Sequence, residues 1–175
     1  MTAAEQKAAL RQEAAGLPKV DAPELVERFL SLPQTRQAGT VMIFCGVGRE
    51  LDTMPIFERL LARGTRVAFP VCLPGRRMEA RLVSSPQQLV PGTYHIPAPD
   101  ANCPAVEKKE IDLILVPCSL CDRDGYRLGW GGGYYDRYLA DFAGATVCIC
   151  PGERLRERLP RDEFDIPVQL VLTDG

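Results

Sequence analysis

Residues 40–63 read T-V-M-I-F-C-G-V-G-R-E-L-D-T-M-P-I-F-E-R-L-L-A-R, which joins a continuous apolar run to a helical pattern through a short loop. The apolar run, residues 40–45, is typical of a strand that is buried on both faces. Residues 54–63 are predicted to form a helix, which Gly64 terminates. A buried strand followed by a covering helix is the repeating unit of a parallel sheet.

The same alternation continues along the rest of the chain. Further strands are predicted at residues 66–71, 78–84, 111–116, 146–149 and 168–172, and further helices at residues 2–15, 21–30 and 134–142. The pattern of residues 78–84 indicates an exposed or edge strand. A proline-rich passage, residues 86–104, is expected to be loop apart from a helical turn at its start. The predicted fold class is α/β, with a mostly parallel sheet and helices on both faces.

The strongest functional signal is residues 127–139, which read R-L-G-W-G-G-G-Y-Y-D-R-Y-L. Four glycines in five positions allow the backbone to approach a ligand closely, and the helix that follows directs free N–H groups towards an anion such as phosphate. Arg127 adds a cation and Asp136 adds an oxygen ligand suited to Mg²⁺. The loop lacks the sequence of a P-loop and the third glycine of a dinucleotide fingerprint. A tight turn without a ligand is the alternative.

Length and charge narrow the class of protein. The chain has 175 residues, of which 46% are hydrophobic, and this suits one domain covering residues 1–175. A formal charge of −2 and a pI near 5.5 offer no basic field, so we expect no nucleic-acid partner. The longest apolar runs are far shorter than the roughly 20 residues that span a bilayer. We therefore expect a soluble, cytoplasmic and monomeric protein with no membrane partner.

Seven cysteines, an odd number, lie mostly in apolar runs. Reduced and buried thiols explain them best. Cys118-Ser-Leu-Cys121 nevertheless has the spacing of a redox or zinc motif, and Cys148-Ile-Cys150 could complete a four-sulfur set. The absence of a nearby histidine, and a C-x-C that directs both sulfurs to one face of a strand, favour a role in the core.

Several separated motifs resemble the 5-formyltetrahydrofolate cyclo-ligase family, also called 5,10-methenyltetrahydrofolate synthetase. The glycine loop is similar to the most specific motif of that family, and Asp122 and Gly125 precede it as in the family. Further similar segments are Lys7-Ala-Ala-Leu-Arg11, Glu50-Leu-Asp-Thr53, the strand at residues 66–70 and Asp165-Ile-Pro-Val168. Order and spacing agree over nearly the whole chain.

The resemblance implies a fold and a reaction. The fold would be a three-layer Rossmann-like domain of the NagB/RpiA/CoA transferase type. The reaction would be the conversion of 5-formyltetrahydrofolate to 5,10-methenyltetrahydrofolate with ATP and Mg²⁺ as cofactors. The formyl oxygen would attack the γ-phosphate of ATP, N10 would close on the formyl carbon, and ADP and phosphate would leave. Such phosphoryl transfer needs positioning and charge neutralisation more than a protein nucleophile.

The resemblance also implies roles for individual residues, each named here by its position in this sequence. The catalytic set would be Arg127, Gly131, Gly132, Gly133 and Tyr134. The ATP site would be Lys7, Arg11, Arg127, Leu128, Gly129, Trp130, Gly131, Gly132, Gly133, Tyr134 and Tyr135. The folate site would be Cys45, Glu50, Trp130 and Tyr134, and the metal ligands would be Asp136 and Asp165.

Other interpretations of these residues stay open. Lys7 and Arg11 are spaced i, i+4 and could form a solvated helix face. Glu50 could be an ordinary loop carboxylate and Asp165 a turn residue. Ala98 and Gln169 stand where the family usually has acidic residues, and this motivates two other functions: a divergent enzyme that uses ATP on another small formyl or amide compound, and a catalytically silent folate-binding protein.

Overall fold

The computed structural model describes residues 1–175, and its helices and strands alternate along most of the chain. The α-helices are α1 (Ala3–Ala15), α2 (Pro23–Ser31), α3 (Pro33–Gln37), α4 (Met54–Ala62) and α5 (Tyr134–Leu139). The strands are β1 (Thr40–Met42), β2 (Arg66–Leu73), β3 (Arg77–Leu82), β4 (Leu89–Pro91), β5 (Pro97–Pro99), β6 (Ala105–Val106), β7 (Leu113–Leu115), β8 (Leu120–Asp122), β9 (Arg127–Leu128), β10 (Ala145–Ile149), β11 (Leu155–Arg156) and β12 (Leu170–Leu172).

Seven strands form one mixed sheet in the order β12-β10-β7-β1-β2-β3-β6. The first five strands of this order are parallel, and β3 and β6 extend the sheet in antiparallel fashion. The prediction of an α/β fold with a mostly parallel sheet is confirmed. The strand predicted at residues 78–84 is present, but it is not at the edge, because β6 pairs with it on the outer side.

Alternating side chains of the parallel strands pack into two apolar clusters. Val41 and Ile43 belong to the cluster that contains Phe29 of α2 and Phe57 of α4. Met42, between them, belongs to a second cluster that contains Tyr138 and Leu139 of α5. Each large side chain buried in this way contributes about 1.5–3 kcal/mol. The sheet thus lies between α2 and α4 on one side and α5 on the other.

A separate three-stranded sheet, in the order β11-β8-β9, was absent from the prediction. Its strands contain only two or three residues, too few for a periodicity to be read from sequence. Asp122 organises the turn between β8 and β9, because its Oδ1 accepts hydrogen bonds from the backbone N–H groups of Asp124 and Tyr126. Its Oδ2 accepts hydrogen bonds from Leu159 and Arg161. This sheet matters for function because β9 continues directly into the glycine loop.

Helix α1 begins and packs as its sequence indicates. Thr2 and Glu5 form the predicted capping box at its N-terminus. Ala14 is buried in a small apolar cluster with Leu120 of β8 and Leu128 of β9. Helix α1 therefore lies against the three-stranded sheet. No helix in the protein is both long enough and apolar enough to cross a bilayer.

The proline-rich passage differs from its prediction as loop. The helical turn predicted at residues 85–90 is present but covers only residues 86–88, and β4 and β5 then form a two-stranded antiparallel hairpin. The connection between them contains Tyr94 and His95, both with a left-handed backbone, at φ values of 59° and 61°. Sequence rules assign such conformations mainly to glycine, so the hairpin could not be recognised. The last predicted helix is also shorter than expected, since α5 ends at Leu139 and not at Phe142.

Candidate active site

The glycine loop lies between β9 and α5 and has backbone conformations that only glycine adopts readily. Gly131 and Gly133 have φ values of 95° and 74°. A Cβ atom on Gly131 would lie 3.2 Å from Cζ of Arg11, so the glycine also allows close approach of that cation. Helix α5 contains only six residues, and its dipole is correspondingly short. An anion bound at this loop would therefore depend mainly on the surrounding cationic side chains.

Three arginines contact the carbonyl groups of the loop. Nε of Arg11 on α1 donates to the carbonyl oxygen of Gly129 at 3.0 Å. Nη1 of Arg76, in the turn between β2 and β3, donates to that of Gly132 at 3.1 Å. Arg137 donates to the same oxygen from α5 at 3.4 Å. The sequence analysis missed Arg76, because nothing in a β-hairpin turn indicates that it will reach a loop 56 residues away.

Lys7 joins the N-terminal helix to the segment that carries Asp165. Its Nζ lies 2.6 Å from Oδ2 of Asp165 and 3.2 Å from Oδ2 of Asp162, and the Lys7 side chain is only 13% exposed. Burial alone would lower the pKa of Lys7, but hydrogen bonds to the two carboxylates raise it. The interpretation of Lys7 as part of a solvated helix face is therefore wrong. Arg11, one turn later, contacts the loop as described above.

Arg127 is a buried cation at the start of the loop. Its side chain is 6% exposed, and Nη2 lies 3.6 Å from Oδ1 of Asp136. The same Asp136 oxygen accepts a hydrogen bond from the backbone N–H of Ile166 at 3.1 Å. The guanidinium also lies 5.5 Å from the ring centre of Tyr135, whose hydroxyl group is buried without a partner and whose pKa is raised by burial. Arg127, Asp136 and residues 165–166 thus meet in one place.

Asp136 and Asp165 suit a magnesium ion. Each carboxylate uses only one oxygen in the contacts above, so Oδ2 of Asp136 and Oδ1 of Asp165 make no hydrogen bond within the protein. Mg²⁺ prefers oxygen ligands and is usually bound by one or two carboxylates together with substrate phosphates. The donor set therefore fits this ion in a site where the remaining ligands come from a phosphate-bearing ligand and water.

Glu50 and Trp130 connect the second predicted loop to the glycine loop. Oε1 of Glu50 accepts a hydrogen bond from the backbone N–H of Val47 at 3.0 Å, and Nε1 of Trp130 lies 3.4 Å from Oε2. Burial raises the pKa of Glu50. The Trp130 side chain is 68% exposed, which leaves its ring available to another planar group. Cys45 lies nearby, where burial and the charge of Glu50 raise the pKa of its thiol.

Two tyrosines meet where the glycine loop joins α5. The hydroxyl groups of Tyr94 and Tyr134 lie 3.2 Å apart, and the two rings meet edge to face with centres 6.3 Å apart. Tyr94 stands on the β4–β5 hairpin and is largely exposed. It is a candidate ligand-contacting residue that the sequence analysis missed, because the hairpin itself was not recognised.

Similarity to known proteins identifies the family of this chain. The model of the 5-formyltetrahydrofolate cyclo-ligase family matches residues 3–174. The chain belongs to this family.

Curated members of the cyclo-ligase family are similar over most of their length. The 5-formyltetrahydrofolate cyclo-ligase of Escherichia coli is 34% identical over 152 residues, which cover 83% of this chain and 84% of that protein. The enzyme of Mycolicibacterium smegmatis is 32% identical over 145 residues, covering 77% and 73%.

Solved structures support the same fold. The NMR structure of Aquifex aeolicus 5,10-methenyltetrahydrofolate synthetase has a TM-score of 0.81 at 30% identity, covering 99% of this chain and 90% of that one. The Mycoplasma pneumoniae synthetase has a TM-score of 0.74 at 20% identity and covers all of both chains, which supports the fold alone.

Most residues that the family resemblance singled out converge in this cyclo-ligase structure. Arg11 contacts the glycine loop, and Arg127 and Asp136 pair at its two ends. Asp136 also contacts Ile166, next to Asp165, which binds Lys7. Glu50 contacts Trp130 of the loop. Leu128 is different, because its side chain is buried with Ala14 and Leu120 and its carbonyl oxygen accepts a hydrogen bond from Ser119. Its side chain therefore packs in the protein interior and does not face the loop.

Proposed function

We propose that this chain catalyses the ATP-dependent conversion of 5-formyltetrahydrofolate to 5,10-methenyltetrahydrofolate, with release of ADP and phosphate. Family membership and the names of the similar proteins support the reaction. The observation that carries the assignment to this site is the contact of Arg11 on α1 with the glycine loop, which begins at Arg127, together with the pairing of Lys7 on the same helix with Asp165 and of Arg127 with Asp136. Helix α1 and the loop are far apart in the sequence, and a structural turn would not require these cations.

The triphosphate of ATP occupies the glycine loop in this proposal. Lys7, Arg11 and Arg127 neutralise its charge, and the N–H groups of residues 129–135 donate to its oxygens. These cations contact Asp165, the Gly129 carbonyl and Asp136 respectively. Phosphate oxygens would replace or share these contacts, so the cations are already positioned before ATP arrives, which lowers the entropic cost of binding.

Asp136 and Asp165 would hold Mg²⁺ against the phosphates. The ion supplies charge neutralisation for the transferred phosphoryl group when it is bound. The protein contributes by orienting the two carboxylates. Asp136 is fixed by the Ile166 N–H, and Asp165 by the Asp162 N–H and Lys7.

The folate ring system lies beside Trp130 and Glu50 in this arrangement. An ionised Glu50 can accept paired hydrogen bonds from the amide and amino N–H groups of a pterin. Trp130 provides an exposed planar surface for stacking, with Tyr134 on the other side of the glycine loop. Cys45 lies close to Glu50 and contributes shape and apolar contact. The formyl group would thereby reach the γ-phosphate at the glycine loop.

The chemistry requires no protein nucleophile. The formyl oxygen attacks the γ-phosphorus and ADP leaves; N10 then forms a bond to the formyl carbon and gives up its proton to solvent, and phosphate departs with that oxygen. Residues of the loop orient the two substrates and stabilise the charge that develops on the phosphoryl oxygens. Arg127 is best placed for the second role, because it is a buried cation and electrostatic interactions are stronger away from bulk water.

We also propose a single three-layer Rossmann-like domain of the NagB/RpiA/CoA transferase type that spans residues 1–175 and acts as a monomer. The packing of α2 and α4 on one face of the sheet and of α5 on the other supports the three layers. All seven cysteines are free, which suits a reducing compartment such as the cytoplasm.

A direct assay tests the function. Purified protein, MgATP and 5-formyltetrahydrofolate should produce the absorbance of the methenyl product, with one ADP formed per product and no reaction in a heat-killed control. Absence of turnover would refute the proposal. Calorimetric binding of ATP without binding of the folate would instead favour another small formyl or amide substrate, and folate binding without ADP formation would favour a silent binding protein.

A further inference from the structure

Four cysteines form a cluster that has no part in the proposed reaction. Cys118 follows β7, Cys121 lies on β8, and Cys148 and Cys150 lie at the end of β10. The sulfur atoms of Cys118, Cys121 and Cys148 all lie within 4.8 Å of one another. Cys150, two residues after Cys148, is buried in the same apolar cluster. Two sequence motifs, C-x-x-C and C-x-C, are thereby brought into one cluster.

The geometry suits a metal ion with tetrahedral sulfur coordination. Zinc binds thiolates at about 2.3 Å, which places the sulfur atoms about 3.8 Å from one another. Sγ of Cys121 and Sγ of Cys148 are 2.8 Å apart, so zinc would require that pair to separate by about 1 Å, which side-chain rotation can supply. A disulfide would use only two of the four sulfurs and would leave the convergence of the others unexplained.

The charges around the cluster also favour an anionic centre. Nη1 of Arg127 donates to the Pro117 carbonyl and Nη1 of Arg154 donates to the Ser119 carbonyl, on the two sides of Cys118. Nε of each arginine is buried and has no acceptor. Arg154 is buried and has no carboxylate partner, since its other hydrogen bond is to the Pro18 carbonyl.

Arg127 is paired with Asp136, but Arg154 is a buried cation without a carboxylate partner, and such a cation is costly without a compensating negative charge. Four neutral thiols provide none. Four thiolates around one divalent cation carry a net charge of −2, the sum of −4 and +2, and would compensate the Arg154 guanidinium.

We propose that Cys118, Cys121, Cys148 and Cys150 form a tetrathiolate zinc site. Each thiol gives up its proton to solvent when the ion binds, and no oxidation is involved. The site would join the three-stranded sheet, through β8, to the seven-stranded sheet, through β10. Because β8 pairs with β9, and β9 continues into the glycine loop, the metal would fix the position of Arg127 without touching a substrate. Cys118, which is half-buried, provides the entry point for the ion.

Metal analysis of the full-length protein tests this site. The protein is purified with zinc in the medium, dialysed against a weak chelator and analysed for metal by mass spectrometry. About one zinc per chain is expected, falling below about a tenth in the double variant Cys121→Ser/Cys148→Ser. Cys103→Ser is the matched control, because Cys103 is equally buried but belongs to the other apolar cluster, and it should keep the full metal content.

Two further measurements keep the test decisive if the double variant does not fold. Cobalt(II) added to the unmodified apoprotein should give the intense visible bands of tetrahedral cobalt and a thiolate-to-cobalt charge-transfer band. Thiol titration of the denatured, unreduced protein should give seven free thiols per chain once zinc is chelated. Metal-free protein with seven thiols would show an ordinary thiol core, and five thiols would show a disulfide. Either result overturns the proposal, and neither bears on the cyclo-ligase assay, which is measured separately.

Discussion

Replacing Asp136 by asparagine separates the catalytic and structural contributions of this carboxylate. The amide oxygen can still accept the hydrogen bond from the Ile166 N–H, so the local structure is retained. The charge is lost, and with it one of the two proposed magnesium ligands. Losing a group that stabilises charge in the transition state costs on the order of 10²–10³-fold in kcat, or about 2.7–4 kcal/mol.

The effect of the same change on stability is smaller. Unit charges 3.6 Å apart attract each other by about 4.6 kcal/mol at an effective dielectric constant of about 20. Desolvation of Arg127 and the partial exposure of Asp136 reduce the net contribution to about 1 kcal/mol. For a chain of this length, that corresponds to a decrease in Tm of about 2–4 °C.

The assay is the rate of methenyl product formation at saturating ATP and folate over a range of Mg²⁺ concentrations, with Tm measured on the same samples. Asp162→Asn is the control, because Asp162 lies on the segment that carries Asp165 and contacts Lys7 but is 47% exposed and is not a proposed ligand. Its kcat should stay within about threefold of the parent. A folded Asp136→Asn variant that keeps kcat within the same range would show that Asp136 is not a metal ligand.

Three other predictions concern the two ends of the site. Lys7→Met removes the ammonium group that pairs with Asp165, and steady-state kinetics should show a KM for ATP raised about ten- to hundredfold. Lys19→Met, on the exposed surface, should leave this KM unchanged. An equal response of both variants would contradict the role of Lys7. Trp130→Ala should raise the KM for the folate more than the KM for ATP. Phe164→Ala, which removes another exposed aromatic ring, should alter neither KM. If Trp130→Ala changed both KM values equally, Trp130 would not stack on the pterin. Burial raises the pKa of Glu50, so its ionised form is lost at a higher pH than for an ordinary glutamate, and folate affinity measured by calorimetry should decrease as the pH falls through that raised value. The free energy of unfolding should change in the opposite direction. It should decrease as the pH rises from the usual pKa of glutamate to the raised pKa of Glu50, because the buried carboxylate ionises over that range. Glu50→Gln should remove the pH dependence of both folate affinity and stability.

The sequence predicted the central sheet well because its strands have a strong local signal. Residues 40–45 and 111–116 are almost entirely apolar, and such runs indicate buried strands wherever they occur. The capping box at Thr2 and Glu5 is equally local, and the structure confirms it. The ends of elements were less certain, as the early end of α5 shows, because the last turn of a helix depends on what packs against it.

The contacts of the site depended on partners that no local rule identifies. The i, i+4 spacing of Lys7 and Arg11 indicates one helix face, but the face binds the loop only because α1 packs against the three-stranded sheet. Arg76 and Tyr94 reach the loop from turns with left-handed, non-glycine residues. Short strands and unusual backbone angles carry little signal in a single sequence, and these features therefore emerged only from the structure.

The ion pair between Lys7 and Asp165 joins residues that are 158 positions apart in the chain. During synthesis, Lys7 leaves the ribosome long before its partner has been translated, and so does Arg127 relative to the segment that positions Asp136. The MgATP site proposed here therefore cannot be assembled on a nascent chain until almost all of the 175 residues have emerged. A chain that ends before Asp165 would retain six of the seven strands of the main sheet but could neither bind nor consume nucleotide at this site.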